Sequence, residues 1–447
     1  MPFRRLRHMR AELMTDMTSA GPLQTVKRST RRAHPRTFSY SPNALGAFIA
    51  LFGLAFIPPL GSKGALLFLI AGMALVVSKP GENLAALRRE WMIVLVALWC
   101  VMSFAWSAYT SLTLRYGIQL SLTVVIGVVI AYRLAPITFV KIIFVTSSLT
   151  GLASLLLGRA RSDGMGYLGI YGSKNALADA SSLLVIVSIA IVVDRRLPAK
   201  WRLTAIATLL LGAMLLVMGQ SSGALVSTLF VILVFGGIFV LQRMTPYLRL
   251  VTVALAIVLF ASMIVILSSM SDQLAKIFLD LTGKDVTLTG RTDLWAVAFG
   301  QIAERPLFGV GFQAFWVHGQ PIAEQLWADF GIESRSGFNF HNTLISNAVE
   351  IGLLGTSLQT FIFIGAVWSC LGWAIRSPSA ASIFFALFMI RLFMLMWIEV
   401  VYFYQFSLGS GIIITAICYG HRIKTDLYSP KNRVSRHFAS NCVYQAG

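Results

Sequence analysis

Charge is what this sequence has least of. Of 447 residues only 12% are Asp, Glu, Lys or Arg, and only 18 are acidic. A soluble domain carries about 25% charged residues, so a water-soluble globular chain is excluded. With 57% hydrophobic residues and a mean hydropathy of +0.75, the composition is that of an integral membrane protein. Cysteine is scarce as well. Cys100, Cys370, Cys418 and Cys442 form no CxxC pair, which removes a disulfide framework and a zinc site. There is no nucleotide-binding P-loop and no long internal repeat. Gly309-Val310-Gly311 lacks the flanking glycine, strand and helix of a dinucleotide site and reads as a turn. The net charge of +19 would suit nucleic acid, but the basic residues concentrate in the two tails and in short connectors. That distribution suits membrane topology, and no nucleic-acid partner is expected.

What the sequence does have is apolar runs, at about 44–60, 62–78, 91–108, 117–133, 138–157, 177–193, 203–219, 224–241, 248–268, 343–369, 380–398 and 404–420. Each approaches the roughly 20 residues a helix needs to cross the hydrocarbon core. The expected fold is an all-α polytopic membrane protein of about twelve spans. Pro58-Pro59-Leu60-Gly61 makes the first two runs either a tight hairpin or one broken element. Residues 1–42 read as a disordered basic cytoplasmic arm, 43–268 as spans one to nine, 269–342 as a long outer loop, 343–420 as spans ten to twelve, and 421–447 as a basic tail. With the N-terminus inside, each inner connector is basic: Lys79, Arg88 and Arg89; Arg133 and Lys141; Arg195, Arg196, Lys200 and Arg202; Arg243 and Arg249; Arg376. This is the positive-inside pattern and places both termini in the cytoplasm.

Basic residues on the outer side run against that bias and call for an anionic ligand. They are Arg159, Arg161 and Lys174 in Gly158–Asn175, and Arg291 and Arg305 in the long loop. Within the loop the spacing predicts a short helix over Arg291–Ala303. Leu294, Trp295, Ala298, Phe299 and Ile302 lie on one side, and Pro306 ends it. Trp295 and Phe299 suit the membrane interface, so the helix is expected to lie along the outer surface. Arg291 at its start could meet a phosphate together with free backbone N–H groups, or simply pair with Asp293.

Of six histidines only His318 and His341 fall outside the tails. His341, where the loop enters the tenth run, is a candidate general base, or else a capping residue. Glu350, Arg391 and Glu399 lie in apolar runs, where ionisable groups face a bundle interior or a wet cavity. Glu350 falls on the opposite side of a regular helix from His341. Arg391 and Glu399, roughly 12 Å apart along a helix, need separate partners.

Three ordered elements carry a resemblance: Arg291-Thr292-Asp293-Leu294-Trp295, Arg305-Pro306-Leu307-Phe308-Gly309-Val310-Gly311, and His341-Asn342-Thr343-Leu344 followed by Glu350-Ile351-Gly352-Leu353-Leu354-Gly355. The series resembles the O-antigen ligase and polymerase superfamily. Gly169-Ile170-Tyr171-Gly172-Ser173-Lys174-Asn175 is similar to an element of its exopolysaccharide-polymerase branch, as in rhizobial exopolysaccharide production proteins. The resemblance implies a GT-C-like, metal-independent glycosyltransferase of the bacterial inner membrane with no cofactor. Its substrate would be a polyprenyl-diphosphate-linked oligosaccharide, and a chain-length regulator or export proteins could be partners. It implies that Arg291 engages the diphosphate and His341 acts at the acceptor. Arg305, Lys174, Asn175, Arg159, Arg161 and Asn342 would bind diphosphate or glycan. The family arginine in the turn before the eighth run is absent here, where Gln220-Ser221-Ser222-Gly223 stands. The outer loop has no Asp-x-Asp pair to hold a metal. Polymerisation of lipid-linked repeat units at the periplasmic face is the expected function. The alternatives are a ligase moving a finished glycan to a lipid acceptor and, in another class, a transporter of the same lipid.

Overall fold

The computed structural model describes residues 41–269 and 291–428, apart from Asp163, Met165 and Tyr402. The N-terminal arm, the loop segment 270–290 and the end of the basic tail lie outside the described residues. Backbone polar groups in lipid must be satisfied within their own segment, so apolar runs fold as helices. Every one of the twelve runs falls on a helix. The first half consists of α1 (Pro42–Ala55), the short α2 (Ile57–Leu60), α3 (Ser62–Ser78), α4 (Pro80–Arg89), α5 (Trp91–Met102), α6 (Thr110–Arg133) and α7 (Pro136–Leu157). After a two-stranded hairpin, β1 (Arg159–Ala160) and β2 (Tyr167–Gly169), come α8 (Lys174–Val193), α9 (Ala199–Met218), α10 (Ser222–Gln242) and α11 (Pro246–Ser269). The rest comprises α12 (Arg291–Glu304), α13 (Pro321–Asp329), α14 (Thr343–Arg376), α15 (Ala380–Leu395) and α16 (Leu408–Tyr428).

Six of the described helices are long and apolar enough to cross a membrane, or seven if the bent pair α3–α4 is one span. The remaining apolar helices, such as α1 and α15, are shorter. The first two runs form a hairpin, with α1 packed along α3. The second turns by 100° where Pro80 opens the polar α4.

The tenth run departs from the single span expected. α14 is interrupted at Gly352, with φ 68° and ψ 175°. At 1.5 Å per residue its 34 residues would reach about 51 Å, well beyond a hydrocarbon core of about 30 Å. The segment after the break, 353–376, is alone long enough to cross. The break divides α14 into a short segment, 343–351, and this longer one.

The packed centre contains α15 and α16, with Phe385 and Tyr419 fully buried against Phe139 of α7 and Phe384 against Phe385. Buried Arg391 of α15 finds its partner in Asp179 of α8, at 2.6 Å. At the other end of α15, Asp194 accepts from the N–H of Ala380 at 2.9 Å and pairs with Arg196 at 2.8 Å.

Candidate functional site

The described residues between Arg291 and Val349 have their own small core. Leu294 and Ala298 of α12, Phe315, Trp327 of α13, Phe340 and Val349 are buried together. Trp295 is half-buried, and its indole N–H donates to the carbonyl of Phe340 at 2.8 Å. Phe299 is exposed. α12 is thus fastened to the residue before His341. Arg291 opens the same helix, one turn ahead of Trp295, and is half-buried. The residues preceding Arg291 lie outside the described range, so the expected helix-start phosphate site is not described in full.

His341 has φ 49°, an uncommon backbone state for a residue with a Cβ. Such states persist where the surroundings over-determine them, and they cluster at functional sites. Here Asn339 Oδ1 accepts the His341 backbone N–H at 2.7 Å. The segment 396–401 is stitched to the start of α14. Thr343 N–H donates to Met396 O at 2.9 Å, Thr343 Oγ1 to Glu399 O at 2.7 Å, and Asn342 Nδ2 to Trp397 O at 3.2 Å. The result is that the Glu399 carboxylate faces His341 Nδ1 at 3.4 Å. Both side chains remain partly exposed, 25% and 34%. A carboxylate on Nδ1 fixes the proton there and leaves Nε2 as the acceptor. Asn342 is nearly buried, and its Oδ1 caps α14 by accepting from Leu344 N–H at 2.9 Å and Ile345 N–H at 3.1 Å. Its amide is occupied in structure.

A chain of contacts joins this pair to the hairpin. Ile398 Cδ1 would lie 3.6 Å from a Cβ on Gly223, so the 219–223 turn borders the Glu399 segment. A Cβ on Gly166 would sit 3.2 Å from Gly219 O and 3.3 Å from Lys174 Cδ. Lys174, half-buried at the start of α8, therefore lies against the turn that lacks the expected arginine. Asn175 beside it is exposed, as are Arg159 and Arg161 in the hairpin. Burial pushes the Tyr171 hydroxyl up to about 12 despite a hydrogen bond with Thr150, so it stays protonated beneath them.

Arg305 is not brought to His341. It lines an open, largely apolar cavity of about 550 Å³ with Trp106, Pro306, Leu307 and Phe308. That cavity lies at the Gly352 end of the segment 343–351, about 13 Å of helix away. The 305–311 turn plugs into the break: Leu353 N–H donates to Pro306 O, Gly311 N–H to Glu350 O (both 2.8 Å), and Val310 N–H to Val349 O at 2.9 Å.

Glu350 gained no role from the sequence. It lies nearly buried in the wall of a second cavity, about 350 Å³, with Trp316, Trp327, Phe338, Asn339 and Tyr404. Phe338 also touches the His341 ring, with centroids 6.0 Å apart. Burial, then the Glu350 and Glu399 carboxylates, raise the Tyr404 hydroxyl well above its ordinary value, which keeps it a neutral donor between them. The aromatic density from Phe312 to Phe340, inside a polar loop, was the available signal. Among the described residues, no group of three His, Cys, Asp or Glu stands together as a metal site.

Residues 206–360 match the family model described as O-antigen ligase. That range includes the 219–223 turn, Arg291, Arg305, His341 and Glu350, and stops short of Glu399. Over 283 residues, 62% of this chain, the sequence is 35% identical to the exopolysaccharide production protein ExoQ of Rhizobium meliloti (strain 1021). The match covers 64% of that protein, so this chain spans just under two thirds of its relative's length.

Proposed function

We propose that this chain, which carries an O-antigen ligase domain over residues 206–360, is a membrane glycosyltransferase that polymerises lipid-linked repeat units into exopolysaccharide. The donor is an oligosaccharide on a polyprenyl diphosphate. Twelve helices cross the inner membrane, both termini are cytoplasmic, and the reaction runs at the periplasmic face. The observation that carries this reading is the His341–Glu399 pair, 3.4 Å apart, beside an outer rim that bears Lys174.

Diphosphate is already a good leaving group, so the enzyme must stabilise charge and position an acceptor. An acceptor hydroxyl gives its proton to His341 Nε2 as its oxygen bonds the anomeric carbon. The bond from that carbon to the diphosphate oxygen breaks, and the electron pair leaves with the diphosphate. Inversion follows from the direct displacement. Arg291 and Lys174 hold the departing charge, with Lys174 taking the place of the arginine absent at Ser222. The Lys174-Asn175 element and the exopolysaccharide relative favour a polymerase over a ligase.

The decisive assay supplies membranes containing the protein with radiolabelled lipid-linked repeat unit and sizes the glycan formed. A ladder longer than one repeat, lost in Arg291→Ala and His341→Ala, is expected. Transfer only after a lipid acceptor is added would make the protein a ligase. Lipid movement across the bilayer without transfer would remove the enzyme reading. Activity is expected to survive EDTA, since no step draws on a metal.

A further inference from the structure

The cavity under Phe338 and beside His341 is built for a polar ligand with apolar faces. Its lining joins aromatic rings, among them Trp316, Trp327 and Phe338, to the polar side chains of Gln313, Asn339, Asn347 and Glu350. Glu350 adds acceptor capacity, because its only hydrogen bond among the described residues is from the Gln313 N–H at 3.0 Å. A carboxylate has about four acceptor sites.

The walls themselves are aromatic. Trp316 is braced by Phe338, Phe340 and Trp327, with ring centroids 5.3, 5.0 and 6.0 Å away. The faces of such rings are electron-rich and attract the weakly positive C–H groups of a saturated ring. Charge sets the other limit. The lining cation Arg335 is committed to Glu324 at 3.3 Å, which leaves an anion no free guanidinium there. The volume of about 350 Å³ is at the small end of the roughly 300–1,000 Å³ of ligand sites, enough for a sugar ring and not for a long glycan.

We infer that this cavity is the acceptor-sugar subsite, in which a pyranose ring stacks on Trp316 and donates hydroxyl hydrogen bonds to Glu350. The proposal rests on the transferase reading only for the word acceptor; the sugar site itself stands on the cavity. Through Phe338 and Asn339, which both touch His341, the bound ring is held next to the proposed base. Glu350 and Trp316 are thus positioning and specificity residues.

The test uses the full chain in nanodiscs and saturation-transfer NMR with free D-glucose and D-galactose as probes. Wild type should saturate the ring C–H protons of at least one of them. Trp316→Ala should abolish the effect and Trp316→Phe keep it, which separates stacking from misfolding. Glu350→Gln should weaken binding roughly tenfold or more. In the transfer assay Glu350→Gln should raise KM for acceptor and leave KM for donor unchanged. Absence of sugar binding in wild type, or binding unchanged in both Trp316→Ala and Glu350→Gln, overturns the subsite even if the protein elongates glycan. Binding that follows the expected pattern, with no transfer by wild type, upholds the subsite and removes the transferase reading instead.

Discussion

Gly352→Ala tests whether the broken helix is what assembles the site. The residue sits at φ 68°, ψ 175°, a region essentially reserved for glycine, where a side chain costs about 1–3 kcal/mol. A Cβ there would fall on the carbonyl of Leu307, a backbone group that cannot swing away. Opposite it, a Cβ on Gly309 would lie 2.5 Å from Glu350 O, so the two glycines are mutually fitted. Displacing the turn forfeits the three backbone hydrogen bonds from Leu353, Gly311 and Val310, about 1 kcal/mol each. The total is about 4–6 kcal/mol, or roughly three to four decades in the local opening equilibrium. Hydrogen exchange over residues 305–313 in nanodiscs should therefore accelerate toward the unprotected rate, and glycan elongation should fall with it. The control lies in the same helix. A Cβ on Gly365 meets nothing within 4 Å, and Ala is favoured over Gly in a helix by about 1 kcal/mol. Gly365→Ala should be silent or slightly stabilising. If Gly352→Ala exchanges like Gly365→Ala, the turn does not depend on the break and the reasoning is wrong.

Glu399→Gln keeps the shape beside His341 but removes the charge that orders its ring. Elongation rate should drop roughly ten- to hundredfold, less than the roughly 10²–10⁴ expected for His341→Ala, and equal losses would mean Glu399 acts on substrate directly. Asp179→Ala should cost about 1–2 kcal/mol, because Arg391 is buried but Asp179 is largely exposed; thermal unfolding of Asp179→Ala/Arg391→Met should recover most of it, and an additive double variant would deny the pairing. Burial opposes ionisation of Asp194, yet Arg196 and the Ala380 and Arg196 backbone N–H groups outweigh it and hold the carboxyl below its ordinary value. Its contribution is present above the unfolded value near 4 and lost as pH falls through the lower folded value. Asp194→Asn should thus cost about 1 kcal/mol at pH 7 and little at pH 2, and a deficit independent of pH would refute the assignment.

The apolar helices were legible because each is written in a long apolar run, and lipid leaves such a run no other backbone solution; the polar α4 and α13 lie outside those runs and were not. The start of the Arg291 helix was legible from spacing and its end from Pro306. The Gly352 break was hidden for the opposite reason. Leu353 and Leu354 continue the apolar pattern straight through it, and only the fit with Gly309, 43 positions earlier in the chain, makes the glycine a hinge. Glu350 looked misplaced on the far side of a helix from His341, but His341 lies before that helix, at φ 49°, and Phe338 both touches its ring and lines the cavity that holds Glu350. The partners of Arg391 and Glu399 could not be read from their spacing, because each lies on a different element: Asp179 on α8 and His341 at the head of α14.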